Sequence, residues 1–99
     1  MKAYFLFDNL EVVDSDKLEE YKNKVLPTVE AFGGQYIILG GTIKNYEGDE
    51  ALNYPVMIEF PSFEHANNWY FSPQYEALKK IRFSAVKCNA TLIQGIRGT

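Results

Sequence analysis

Two charged residues in apolar surroundings, Glu59 and Arg82, are the side chains of this sequence best suited to acid–base chemistry. Glu59 stands between Ile58 and Phe60, and a carboxylate among apolar neighbours is expected to have a raised pKa that suits a general base. Arg82 follows Ile81 at the border of a helical apolar stripe, where its guanidinium could hold a substrate carboxylate. The structural alternatives are that Arg82 or a tyrosine hydroxyl satisfies Glu59, and that Arg82 is a solvated side chain.

Aromatic residues near these two could form the wall of a ligand pocket. Rings with hydroxyl groups would hold and orient a planar ligand, although aromatic residues at helical spacing are more often core. Ser72 is assigned a supporting role, because it has no nucleophile elbow and no nearby histidine, and Pro73 after it marks a helix cap. The predicted pocket residues are Tyr36, Trp69, Tyr70, Ser72 and Tyr75.

The single histidine and the single cysteine do not indicate a metal or cofactor site. His65 has no further ligands clustered around it, so we expect a surface side chain and neither a metal nor a haem. Cys88 has no flanking bases and is expected to be an inert packed thiol. Because one cysteine cannot form an internal disulfide, a reducing cytoplasm is the expected location.

Length and composition predict one globular domain covering residues 1–99. The hydrophobic fraction is 46% and the charged fraction 23%, which is typical of a folded chain. A net charge of -3 argues against a nucleic-acid partner, because such binding depends on clustered Lys and Arg. The apolar N-terminal run is too short for a signal peptide, and no stretch is long enough for a membrane span, so neither is expected.

The hydrophobic pattern predicts the element order β-α-β-β-α-β. Strands are expected over residues 2–10, 35–39, 54–60 and 88–96, with the second bent or bulged at Gly40-Gly41 and continuing over 42–47. A first helix begins after Asp14 and ends at Gly33-Gly34, and Pro27 within it predicts a kink or break near Leu26. The second helical region begins after Ser62 and restarts at Ser72.

This order is that of a ferredoxin-like α+β fold, in which both helices cover one face of a four-stranded antiparallel sheet. The other face would be an apolar patch larger than a monomer usually exposes, with Tyr4 or Phe5, Met57 and one parity of the last strand. A second copy offering the same face would bury it. We therefore expect a homodimer through the open sheet face.

Several segments together resemble an uncharacterised bacterial family, the domain of unknown function thirteen-thirty. The matching segments are Met1-Lys2-Ala3-Tyr4, Phe32-Gly33-Gly34, Gly40-Gly41, Glu47-Gly48, Ile58-Glu59-Phe60-Pro61-Ser62, Trp69-Tyr70-x-Ser72-Pro73-x-Tyr75 and Arg82. The resemblance implies a dimeric α/β barrel, two ferredoxin-like subunits packed sheet to sheet, with a pocket between each sheet and its helices. The family has no agreed activity. This chain departs from it in having Ser15 in place of a usual Pro, and Phe71 in place of a usual Asp.

The sequence thus predicts a small-molecule-binding protein of the dimeric α/β-barrel type, with Glu59 as proton acceptor and Arg82 as anion holder if it is an enzyme. Such an enzyme would be independent of cofactors and would act on a small aromatic or carboxylate substrate. The alternatives are a non-catalytic ligand-binding module and a structural homodimer. An enzyme needs a cavity faced by Glu59 or Arg82, a binding module needs the cavity alone, and a structural protein needs neither.

Overall fold

The computed structural model describes residues 1–96 of the chain. Its elements follow one another in the predicted order, and the second helical region consists of two helices. None of the helices in this part of the chain is long and apolar enough to cross a membrane. The elements are β1 (Ala3–Val12), α1 (Ser15–Ala31), β2 (Gln35–Leu39), β3 (Pro55–Phe60), α2 (Phe63–Tyr70), α3 (Pro73–Ala85) and β4 (Val86–Gln94).

The four strands form one antiparallel sheet in the order β2-β3-β1-β4. β1 pairs with β3 on one side and with β4 on the other, so it is an interior strand of the sheet. The ferredoxin-like α+β fold predicted from the sequence is therefore confirmed.

Each helix begins at a residue whose side chain accepts a backbone hydrogen bond. Asp14 accepts from the amide of Lys17 at 3.1 Å, and Ser62 accepts from the amide of His65 at 3.0 Å. Ser72 accepts from the amide of Tyr75 at 3.2 Å, and its own hydroxyl donates to a backbone carbonyl. These contacts satisfy amide groups that a helix N-terminus leaves unpaired, so the predicted caps set the helix starts.

Of the kink or break expected near Leu26, the break is wrong, because α1 runs continuously through Pro27. Val25 and Val29, on either side of it, are buried, and their packing holds both halves of the helix in place. The hydroxyl of Thr28 donates to the carbonyl of Val25 at 2.7 Å. This side-chain bond lies next to Pro27, which has no amide hydrogen to donate.

The strand expected over residues 42–47 is also wrong, and the irregularity of β2 lies between Tyr36 and Ile38 instead of at the glycine pair. Gly40 and Gly41 have φ angles of +66° and +86°, which turn the chain out of the sheet. The amide of Gly40 donates to the carbonyl of Pro55 at 2.7 Å before the chain leaves.

The sheet has one covered face and one open face. Phe5, Phe7, Ile58 and Phe60 belong to the buried cluster beneath the helices. Alternate residues point the other way, where no element of residues 1–96 covers them. The name open face is used below for this surface, whose apolar members are Tyr4, Leu6, Ile38, Met57 and Ile93.

Candidate functional site

The guanidinium of Arg82 is buried between α3 and the sheet. The residue is only 5% exposed, and its Nε donates to the hydroxyl of Tyr75 at 3.1 Å. The ring centroids of Phe7 and Phe83 lie each 5.0 Å from the guanidinium carbon. Nη2 is buried without any hydrogen-bond partner among the described residues. A buried donor without a partner is unfavourable, so this nitrogen is the first place to look for a missing ligand.

A cavity of about 40 Å³ adjoins this side chain. It has room for a few water molecules, at about 10–15 Å³ each, or for one small functional group. Both strands and helices contribute to its wall, which combines apolar side chains with hydroxyls, one amide and the guanidinium. The lining residues are Phe7, Asn9, Tyr21, Tyr36, Val56, Ile58 and Arg82.

Two tyrosines continue the hydrogen-bond chain from the guanidinium to α1. The hydroxyls of Tyr21 and Tyr75 are 2.7 Å apart, and Tyr75 in turn accepts from Arg82. Tyr75 is fully buried, while Tyr21 borders the cavity. These hydrogen bonds hold Nε of Arg82 in place, and they leave Nη2 available for another partner.

The phenols around Arg82 are neutral at physiological pH. Burial raises the pKa of Tyr21 and Tyr36 well above the usual value of 10.0, and the neighbouring oxygen of Tyr75 acts in the same direction. Burial also raises the pKa of Tyr75, although Arg82 opposes the effect. For Arg82, burial lowers the pKa, but the adjacent phenol oxygens outweigh it and the net shift is upward. The site is thus one cation surrounded by neutral hydroxyls.

Cys88 lies beside the guanidinium at the start of β4. Burial raises the pKa of its thiol, and Arg82 opposes this change only in part. The thiol donates to the carbonyl of Asn89 at 3.3 Å. A protonated, half-buried thiol is a poor nucleophile, which agrees with the packed cysteine that the sequence predicts.

Glu59 is on the opposite side of the sheet from Arg82. It is paired in register with Tyr4 and Gln35, and its neighbours Ile58 and Phe60 point into the core. Its carboxylate forms an ion pair with Nζ of Lys2 at 2.8 Å. A structural ion pair was one of the two interpretations of Glu59, but the partner expected from the sequence, Arg82 or a tyrosine, is wrong.

The structure packs Trp69, Tyr70 and Tyr75 against one another, and of the predicted pocket residues only Tyr36 lines the cavity. Tyr75 contacts Arg82 behind it. Trp69 is fully buried in the core, where its indole donates to Thr28 at 3.1 Å, and Ser72 caps α3. The ring of Tyr70 packs on Phe5 and also lies 4.0 Å from Nζ of Lys79.

A second, wider depression of about 180 Å³ lies beside the end of β1 and includes Leu10, Val12 and Leu18 in its wall. Its charged residues, Glu11 and Lys22, are exposed. Glu11 is already paired with Lys87 at 3.3 Å. The depression is larger than the Arg82 cavity, but it has no buried polar group that lacks a partner, so we place the candidate site at Arg82.

The family model described as Domain of unknown function (DUF1330) matches residues 2–96 of the chain. This chain belongs to the DUF1330 family. The resemblance noted from the sequence segments is therefore confirmed. No match is found among curated proteins.

Solved structures share the fold of this DUF1330 protein at low sequence identity. A protein of unknown function from Rhodopseudomonas palustris, RPA0582, is 17% identical with a TM-score of 0.73, covering 97% of this chain and 83% of its own. A protein provisionally named an antibiotic biosynthesis monooxygenase, from Nitrosomonas europaea, is 12% identical with a TM-score of 0.58, covering 99% and 92%. A dimeric ferredoxin-like protein of unknown function from Bacteroides fragilis is 16% identical with a TM-score of 0.50, covering 95% and 94%.

Sequence reasoning missed two polar residues of the candidate site, Tyr21 and Asn9. Tyr21 recurs at helical spacing with the apolar residues Leu18 and Val25, and nothing in this spacing indicates a bond to Tyr75, which is 54 residues away. Asn9 lies on β1 where the pairing of β1 with β4 changes register, between Asn9 and Glu11. Within residues 1–96, no three His, Cys, Asp or Glu side chains are grouped as a metal site would require.

Proposed function

We propose that this DUF1330 protein binds a small organic molecule, aromatic or carboxylate in character, at the cavity beside Arg82. The observation that supports the proposal is the buried Nη2 of Arg82, which has no hydrogen-bond partner within residues 1–96 and belongs to a side chain that lines the cavity. Binding sites are typically apolar cavities with a few convergent polar groups, and this one combines Phe7, Val56 and Ile58 with hydroxyls and a guanidinium.

The size of the cavity limits how a ligand would enter. About 40 Å³ accommodates only a head group, so the remainder of a larger ligand would lie in the mouth or displace a side chain. Tyr36 is the most suitable side chain to move, because it is partly exposed and β2 is an edge strand with an irregular register. Small shifts of this kind are common when a site closes on its ligand.

Binding without catalysis and cofactor-independent catalysis remain alternative forms of this proposal. The cavity wall contains no carboxylate or histidine that could remove a proton, so a catalytic form would depend on stabilising charge in the substrate. The monooxygenase name of the Nitrosomonas europaea protein belongs to that protein, and a shared fold does not carry the reaction over. That Glu59 acts as a proton acceptor stays a prediction. If it does, its substrate would bind on the open face.

The proposal includes a homodimer formed through the open face, located in the cytoplasm. The apolar members of that face support the dimer, because a contiguous apolar surface is usually buried against a partner. The description of the Bacteroides fragilis protein as dimeric is consistent with it. The cytoplasmic location rests on Cys88 and its lack of a disulfide partner within the chain.

A ligand screen read by thermal unfolding tests the binding function. A compound that binds only the folded state raises the unfolding temperature by mass action, so hits identify the ligand class. Hits are then checked by chemical-shift changes at Tyr36 and Arg82. Hits that shift these two residues support the proposal. A screen of aromatic acids and neutral ring compounds in which no hit shifts them would reject the cavity as a binding site.

A further inference from the structure

We infer that the ligand is a small organic oxyanion, which supplies the counter-ion that Arg82 lacks and binds jointly to Nη2 of Arg82 and the hydroxyl of Tyr21. This inference rests on the proposed function and narrows its ligand class to anions. It also adds Tyr21, on α1, to a site predicted from other elements.

The charge of Arg82 has no acidic partner in the described part of the chain. The ion pairs found there all involve lysines, and Asp8 instead accepts the backbone amides of Asn53 and Tyr54 at 2.9 Å. A buried charge without a counter-ion is strongly unfavourable, and the aromatic faces of Phe7 and Phe83 offset it only partly. A carboxylate in the cavity would supply both the missing charge and the missing acceptor.

The hydroxyl protons of Tyr21 and Tyr75 also indicate a ligand that accepts hydrogen bonds, as an oxyanion does. The hydroxyl of Tyr75 already accepts from Nε of Arg82, and the bond between Tyr75 and Tyr21 uses one of their two protons. If Tyr21 donated, the proton of Tyr75 would be left over at a fully buried residue. If Tyr75 donates, the proton of Tyr21 is left over at the cavity instead, where an acceptor can enter.

Donors therefore predominate on the polar side of the cavity. The polar residues of the wall are Arg82, Tyr21, Tyr36 and Asn9, which carry one guanidinium, two phenols and one uncharged amide. Charge-assisted hydrogen bonds are roughly twice as strong as neutral ones, and they gain further in a site shielded from water. Tyr75 is a positioning residue, since it holds Nε and so orients Nη2.

Matched pairs of probes separate charge from shape. Acetate is compared with acetamide, and benzoate with benzamide, in a buffer free of other carboxylates and of phosphate. Affinity is followed by titration of the Nε–H resonance of Arg82 and by the unfolding temperature. We expect each carboxylate to bind about tenfold or more tightly than its amide, because a hydrogen bond to a charged group is worth more than a neutral one.

Variants then test whether the preference for carboxylates over amides depends on Arg82 and on Tyr21. Arg82→Met is expected to unfold at the same or a higher temperature without ligand, because an unpaired buried charge is removed, and to lose the response to benzoate. Tyr21→Phe keeps the ring and is expected to weaken benzoate about tenfold with little change for benzamide. Tyr46→Phe is the control, since Tyr46 is 81% exposed and outside the cavity.

Each result bears on the inference directly. Equal affinity for carboxylate and amide at the Arg82 resonance would overturn the oxyanion and leave the binding function intact. If Tyr21→Phe bound benzoate as tightly as the wild type, joint binding of the ligand by Arg82 and Tyr21 would be overturned. This result would hold even if Arg82→Met did not fold. If no probe of either kind perturbed the Arg82 resonance, the inference and the proposed function would both be rejected.

Discussion

The carboxylate of Glu59 and the guanidinium of Arg82, the two candidate catalytic groups, lie on opposite sides of the four-stranded sheet. Glu59 is on the open face, paired with Lys2, while Arg82 is under the helices, bonded to Tyr75. One substrate bound within a single subunit cannot contact both groups. Chemistry at Arg82 must therefore be explained by the tyrosines around it, and changes at Glu59 should affect a different property.

Replacing Glu59 with Gln should leave carboxylate binding at Arg82 unchanged. The substitution removes the ion pair with Lys2 on the far side of the sheet and touches no residue of the cavity wall. Titration with benzoate, followed at the Arg82 resonance, measures the effect against Lys2→Gln, which removes the same ion pair from its other end. Loss of binding in the Glu59 variant alone would mean that this carboxylate takes part in the ligand site.

Replacing Tyr75 with Phe should destabilise the fold by about 1–3 kcal/mol, because it deprives the buried Nε of Arg82 of its acceptor. Chemical denaturation gives the change in the free energy of unfolding, with Tyr46→Phe as an exposed control. If Tyr75 positions Arg82, the preference for benzoate over benzamide should also fall. A variant that lost stability but kept the full preference would limit Tyr75 to a packing role.

Stability should fall as the pH rises above about 10. Unfolded tyrosine ionises near 10.0, whereas burial raises the pKa of Tyr21, Tyr36 and Tyr75 in the folded protein. Above that pH the unfolded chain binds fewer protons than the folded one, so unfolding becomes more favourable, and below it these groups add no pH dependence. Phenolate absorbance and circular dichroism, measured together, should show that part of the ionisation of the seven tyrosines occurs only as the protein unfolds. Ionisation of all seven before unfolding would contradict the burial of these three hydroxyls.

The two glycines after β2 provide a matched test of local packing. Both have positive φ, but a Cβ on Gly40 would lie 2.5 Å from Cε2 of Tyr54, whereas one on Gly41 would meet nothing within 4 Å. Gly41→Ala should cost about 1 kcal/mol for the left-handed conformation, and Gly40→Ala about 1 kcal/mol more for the clash. Equal losses in denaturation midpoint would mean that the ring of Tyr54 moves aside freely.

Placing a charge on the open face should disrupt the proposed dimer. Leu6 lies on the central strand β1, among the apolar members of that face, so Leu6→Lys would bury an unpaired ammonium if two copies met there. Sedimentation at several protein concentrations should show a dimer for the wild type and a monomer for this variant. Asn68→Lys, at an exposed position on α2, serves as the control. A Leu6→Lys protein that sedimented like the wild type would move the interface elsewhere.

The sequence alone determined the elements and their faces, because these depend on local signals. Asp14, Ser62 and Ser72 set the helix starts, and alternation in β3 separated Ile58 and Phe60 from Met57 and Glu59. The helix break expected near Leu26 and the strand expected over residues 42–47 are wrong. Burial on both sides of the proline outweighed its local cost, and a second strand after the glycines had no neighbour to pair with.

Only the tertiary structure decided which side chains meet. Glu59 and Arg82 are both charged residues in apolar segments, yet the register of β3 and the packing of α3 place them on different sides of the sheet. Tyr21 reaches Tyr75 across 54 residues of chain. No local pattern predicts such a contact, because the hydroxyls are brought together by the packing of α1 against α3. Within residues 1–96 that packing leaves the buried guanidinium without a counter-ion, and the candidate function depends on this absence.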